Sequence, residues 1–121
     1  MELNEEIKAA ARQLGQSLRQ YDYVRSYLDA FEEIQADPEA SALEKKMYDL
    51  YEALIARQQA GEILDREDTR PFYELRQQVQ NHPLISKRND MLRLAKSYLS
   101  QVADEISFLL GVDYAVLAKP Q

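Results

Sequence analysis

Three glycines and four prolines are all that punctuate 121 residues, and their positions cut the chain into segments almost unaided. Pro38 to Gly61 and Pro83 to Gly111 each enclose a long run free of either breaker. Strands rarely exceed about ten residues, so runs of this length are read as helices. A proline at the first helical position forfeits no hydrogen bond, because its missing N–H would have been unpaired there. Asp37 is therefore expected to cap a helix opened by Pro38 and to be followed by Glu39, whose charge suits the positive helix end. This helix runs through Leu43, Met47, Leu50 or Tyr51, and Leu54 to a C-terminal Gly61, about 22 residues or roughly 33 Å.

Pro83 opens the longest helix by the same logic, with Ile85, Leu92, Ala95, Leu99, Val102, Ile106 and Leu109 recurring at threes and fours over about 40 Å. Pro38 and Pro83 are offset by 83 − 38 = 45 positions, and the same shift maps Ile34 onto Val79, Gln35 onto Gln80 and Leu54 onto Leu99. A short helix, a Pro-initiated turn and a long helix thus occur twice, either as an internal duplication or as two copies of one helical-hairpin solution.

Three further helices complete the pattern. Leu3, Ile7, Ala10, Ala11, Leu14 and Leu18 form one helix face behind Asn4 as a cap. Gly15 is expected to interrupt it, with a second helix starting at Ser17, which stands three residues before Gln20 as in a capping box. One continuous helix through Gly15 is the alternative, since a single glycine costs only about 1 kcal/mol. The second helix carries Tyr21, Val24, Tyr27 or Leu28, Phe31 and Ile34. Because proline breaks the ladder beyond the first turn, Pro71 places the cap of the next helix at Asp68 or Thr69 rather than Asp65, with Phe72, Leu75 and Val79 as its buried stripe. Only the tail VDYAVLA after Gly111 hints at period-two alternation, and it is too short for a sheet. The expected fold is all-α: a bundle of about five helices in one domain, helical over 1–111 with a short tail over 112–121.

Charge narrows the function classes. The net charge of −6 comes from 15 basic and 21 acidic side chains spread along the chain, and no basic block stands out to displace counterions from phosphates. Direct nucleic-acid binding and membrane insertion are not expected, and the cytoplasm is the expected location. The absence of cysteine excludes thiolate nucleophiles, disulfides and any iron–sulphur site ligated by this chain's own sulphur.

No catalytic constellation is legible, so neither catalysis nor a cofactor is expected. His82, the single histidine, directly precedes Pro83, where a turn or cap role is favoured over that of a base or ligand. Glu5 with Glu6 and Glu32 with Glu33 point about 100° apart on a helix and do not converge on a metal. Tyrosines are more informative. Tyr21, Tyr23 and Tyr27 cluster on the second helix, and Leu84, Met91, Leu94 and Tyr98 give the last helix a second apolar set beside its main seam. An apolar arc that wide exceeds what one neighbouring helix covers. Either the last helix is central in the monomer or it meets another subunit, and on the second reading these seven residues are the candidates for a partner or oligomer interface, with a homodimer favoured.

Ser17 followed by Tyr21, the run DPEA from Asp37 to Ala40, the long helix ending in Gln58, Gln59 and Gly61, and the Pro-initiated last helix together resemble the YlbF/YmcA family of small helical bacterial proteins, over roughly the first 111 residues. The resemblance implies a cytoplasmic regulator of competence, sporulation and biofilm formation, some members of which act in a complex that modulates a membrane-bound ribonuclease. It also implies a second regulatory protein as a partner. Complex-forming members are linked to iron–sulphur clusters through cysteines, which this chain lacks, so it resembles the cysteine-free, YheA-like members more closely. The expected function is a non-catalytic regulator or adaptor. The alternative is an RNA-associated accessory factor using Lys45, Lys46, Lys87, Arg88 and Arg93 near the starts of the two long helices.

Overall fold

The computed structural model describes residues 1–120, of which 84% are helical, with no strand among the described residues. Six helices follow in order: α1 Glu5–Gln20, α2 Asp22–Ala36, α3 Pro38–Gln59, α4 Arg66–Asn81, α5 Pro83–Leu110 and α6 Tyr114–Leu117. The chain groups into two compact units, one of residues 1–28 with the chain from Asp90 onward, the other Asp29–Asn89.

Both proline-led starts form as the spacing requires. Asp37 is extended (φ −99°, ψ 110°), and its Oδ1 accepts the amide of Ala40 at 2.9 Å, with Pro38 in the first turn. The Ser41 hydroxyl donates back to the Ile34 carbonyl at 2.7 Å and fastens the α2–α3 turn. The second start repeats the arrangement with different chemistry: His82 is extended (φ −68°, ψ 127°), and its Nδ1 accepts the Leu84 amide at 3.2 Å. The lone histidine is thus a cap.

At the end of α3 the backbone turns through Gly61 at φ 94°. The amides of Gly61 and Glu62 reach back to the carbonyls of Gln58 and Arg57, a Schellman closure that only a glycine adopts without strain.

Three details depart from expectation. Gly15 lies inside α1, and the break falls six residues later at Tyr21, which is extended (φ −73°, ψ 136°), so Ser17 caps nothing. The penalty of one glycine was too small to stop a helix whose flanking residues favour it. The cap of α4 is Asp65, not Asp68 or Thr69. Asp65 accepts the Asp68 amide at 2.9 Å while Asp68 accepts the Asp65 amide at 3.0 Å, a reciprocal capping box that leaves Pro71 in the second turn. The box and an Arg57–Asp68 contact at 3.0 Å offset the one ladder bond that Pro71 cannot make. Finally, the tail forms a helical turn, capped by Asp113 and tied back by the Ser107 hydroxyl, which accepts the Tyr114 amide at 2.8 Å.

Burial is unequal. Among the described residues, Ala30, Ile34, Ala40, Leu54, Leu75, Val79 and Ile85 are buried in the Asp29–Asn89 unit, whereas the other unit buries Ala95 alone. Ile34, Ala40, Val79 and Ile85 form the centre of the core, with Leu43, Met47 and Leu84 packed against them. Removing each large side chain of that cluster from water contributes about 1.5–3 kcal/mol.

Candidate interaction surface

In the unit that joins the chain's start to its end, apolar side chains stand in water. Ile7, Ala10, Ala11, Leu14 and Leu18 fall within an arc of about 100° at the helical repeat, with Leu3 just ahead of the helix, yet α1 buries none of its residues. Leu3, Ile7 and Leu14 are 64%, 58% and 40% exposed. On α5, Leu94, Phe108 and Leu109 lie within about 100° of one another and are likewise open.

The aromatic candidates partly converge. Tyr21, at the α1–α2 break, stacks on Tyr98 of α5 with ring centroids 3.8 Å apart and planes 9° from parallel. Tyr23 meets Tyr21 edge-on at 5.5 Å. Tyr21, Tyr23 and Leu94 remain exposed, while Tyr27, Met91 and Tyr98 are half-buried. Leu84 lies elsewhere: it packs against the Ile34–Ile85 cluster, inside the chain's own core.

Four of the five basic residues near the two long-helix starts are engaged by carboxylates, and the fifth, Lys46, is exposed with no carboxylate in salt-bridge reach among the described residues. Arg88 makes a two-pronged contact with Glu44, Nη1 and Nη2 donating at 2.7 and 2.6 Å, and both side chains are largely enclosed. Lys87 reaches Glu33 at 3.1 Å, Lys45 reaches Asp49 at 2.7 Å, and Arg93 pairs with Asp90. The hydrogen bond and charge of Asp49 hold the Lys45 ammonium above its ordinary range. Such pairing leaves little uncompensated positive charge for a phosphate backbone.

A second surface was not singled out from sequence. Between α3 and α4 runs a groove lined by Met47, Tyr48, Tyr51, Phe72, Tyr73 and Arg76 among others, with a volume of about 380 Å³. A smaller recess of about 130 Å³ adjoins it, sharing Tyr51, Phe72 and Tyr73 and reaching Gln58 and Thr69. Tyr51 and Phe72 tilt together at 5.6 Å, and Phe72 meets Tyr73 at 5.4 Å. The signal is present in the sequence, since Tyr48 and Tyr51 sit three apart and Phe72 and Tyr73 one apart on consecutive helices. It was masked because Tyr51 and Phe72 also fit the core stripes.

Comparison with known proteins decides the kinship. The family model described as "Control of competence regulator ComK, YlbF/YmcA" matches residues 7–110. The chain belongs to the YlbF/YmcA family. Within that family it is similar to a UPF0342 protein of Lactobacillus acidophilus, 37% identical over 79 residues covering 65% of this chain and 68% of that protein. A UPF0342 protein of Pediococcus pentosaceus is 32% identical over 100 residues, covering 83% of this chain and 88% of the relative. These relatives are consistent with the YheA-like side of the YlbF/YmcA family. With no cysteine, the chain offers no thiolate to an iron–sulphur cluster. Among the described residues no three His, Asp or Glu side chains gather as a metal ion would require, and no helix is long and apolar enough to cross a membrane.

Proposed function

We propose that this YlbF/YmcA-family chain is a non-catalytic regulatory adaptor of the bacterial cytoplasm that works by helix-mediated association, first with a second copy of itself and then with another regulatory protein. The observation that carries this reading is the open apolar face of α1. A helix of 16 residues is marginal in water on its own, and most helical stability comes from packing an amphipathic face. Here Ile7 and Leu14, with Leu3 just ahead of the helix, find no enclosed site. Exposed apolar patches of this kind mark association surfaces. Tyr21, Tyr23 and Leu94 extend the exposed apolar surface of the same unit, and a two-fold pair is the commonest way to cover such a surface. Of the interface candidates, Leu84 falls outside this proposal, since it is used within the core.

Sedimentation velocity over a wide concentration range tests the reading. A dimer is expected, and Ile7→Asp is expected to shift it towards monomer without loss of helicity, because the side chain is 58% exposed in the single chain. A monomer at every concentration would refute self-association. Of the five residues behind the RNA-associated alternative, Lys45, Lys87, Arg88 and Arg93 each sit beside a carboxylate, and Lys46 by itself makes no cationic track. A steep salt dependence of binding to single-stranded RNA would revive it.

A further inference from the structure

The groove between α3 and α4 and the uncovered face of α1 are complementary in size, polarity and charge, and we infer that α1 of one copy docks in the α3–α4 groove of another. The inference rests on the self-association proposed above and names the surface that performs it.

Size comes first. The paired linings, Gln58 and Ile55 with Thr69 and Phe72 at one end and Glu44 and Met47 with Val79 and Gln80 at the other, make α3 and α4 antiparallel walls. From Glu44 to Gln58 the groove runs about 21 Å, and α1 at 16 residues spans about 24 Å. Two antiparallel helices with a trough between them form the usual seat for a third helix presenting apolar residues at threes and fours, and α1 presents Ile7, Ala10, Ala11, Leu14 and Leu18 in that rhythm.

The walls are of the right kind. Tyr48, Tyr51 and Tyr73 are 56%, 48% and 58% exposed, large rings held on rigid helices and still wet. Rings so placed lose little freedom on binding and dominate helical interfaces.

Charge gives the direction. Three charged side chains line the groove. Glu44 and Arg88 neutralise each other, while Arg76 has no carboxylate within salt-bridge reach among the described residues. The helix α1 begins with Glu5 and Glu6. Docking the acidic start of α1 beside Arg76 sets Ile7 within about one helical turn of Tyr73 and leaves Leu14 and Leu18 for the Phe72 and Thr69 end. A single-stranded nucleic acid would also stack on tyrosines, but it needs a cationic track, and Arg76 alone in this groove, on a chain of net charge −6, does not provide it.

Because the chain has no cysteine, single cysteines can be placed without background. Ile7→Cys and Tyr73→Cys variants of the full chain, both at exposed positions, are purified separately, mixed and treated with a flexible bismaleimide, with far-UV circular dichroism confirming that each remains folded. The crossed Ile7–Tyr73 product is expected to outweigh either self-linked product. Adding Arg76→Glu to the Tyr73→Cys variant is expected to lower the crossed yield about tenfold, and Glu5→Arg with Glu6→Arg on the Ile7→Cys variant to restore it. Self-linking of Ile7→Cys without crossed product would overturn the groove assignment and leave self-association standing, as would a crossed product indifferent to Arg76→Glu. Loss of the crossed product on adding a polyuridine oligonucleotide would overturn α1 as the occupant. A chain that sediments as a monomer and gives no product of any kind removes the self-association beneath it as well.

Discussion

Glu44 and Arg88 join α3 to the first turns of α5, and separating them tests how the Asp29–Asn89 unit is held. Their four-atom contact, at 2.6 and 2.7 Å, is only 14% and 16% exposed on the two side chains. Exposed ion pairs contribute about 0–1 kcal/mol, whereas breaking a fully buried pair costs about 3–5 kcal/mol because one charge is left uncompensated. This pair lies nearer the second limit. It keeps some solvent, and Arg88 also donates to the Asn89 side chain at 3.0 Å, which would partly satisfy the arginine alone. Glu44→Gln and Arg88→Gln are each expected to cost about 2–3 kcal/mol, and a double-mutant cycle to return a coupling of about 2 kcal/mol. The assay is urea unfolding followed by far-UV circular dichroism at one fixed protein concentration, since association also stabilises the folded chain. At a slope near 2 kcal/mol/M each single variant would lower the midpoint by about 1 M. Losses that add to within about 0.5 kcal/mol would show that the two groups act independently and that the contact is no more than a surface pair.

Ile85 is fully buried at the centre of the core, so Ile85→Ala is expected to destabilise by about 2–5 kcal/mol in the same assay; a loss below 1 kcal/mol would mean that the site is not enclosed. A glycine inside a helix and one just past a helix end should respond with opposite signs, which thermal melts of both variants can read. Gly61→Ala forces a side chain into φ 94° and should cost about 1–2 kcal/mol, while Gly15→Ala, with open space around it inside α1, should stabilise by about 0.5–1 kcal/mol. Pro71→Ala returns an amide to the second turn of α4 and is expected to raise stability by about 1–3 kcal/mol; an unchanged unfolding midpoint would show that the turn has already adapted to the ring. The Asp65 amide, and then the Arg57 guanidinium, hold the Asp68 carboxyl below its ordinary 3.8. A carboxyl lowered in the folded state adds stability that is full above that value and disappears as pH falls through the native one, so Asp68→Asn should flatten the acid limb of a pH–stability curve below about pH 4. Identical acid limbs in the two proteins would contradict this.

The sequence announced the two long helices because proline and aspartate, or proline and histidine, state a helix start in local chemistry that tertiary structure has no reason to override. Where the penalty was small the reading failed. Gly15 reads as a stop with a helix continuing through it as the alternative, and the alternative holds as far as Gln20: a cost near 1 kcal/mol cannot end a helix by itself, and the break falls at Tyr21, where the Tyr98 ring receives it. From sequence Pro71 argues against a start at Asp65; the reciprocal bonds with Asp68, invisible until both side chains are placed, offset the lost amide. Tyr21, Tyr23 and Tyr98 could be nominated one by one from their spacing, yet their meeting depends on α5 returning to the α1–α2 break, which no local pattern states. The α3–α4 groove was missed for a related reason. Tyr48 and Tyr73 lie beside the apolar stripes, and only the antiparallel pairing of the two helices lines them up into one trough.

The face-to-face rings of Tyr21 and Tyr98 have an optical consequence. The chain has eight tyrosines and no tryptophan, so every near-ultraviolet transition it shows is phenolic or benzyl. Two phenols lying 3.8 Å apart and almost parallel couple their excited states, giving a chiral band and quenched emission that isolated tyrosines do not share. The junction of α1 and α2 therefore carries its own chromophore pair, whose signal follows the closing of that corner onto α5 without any added dye.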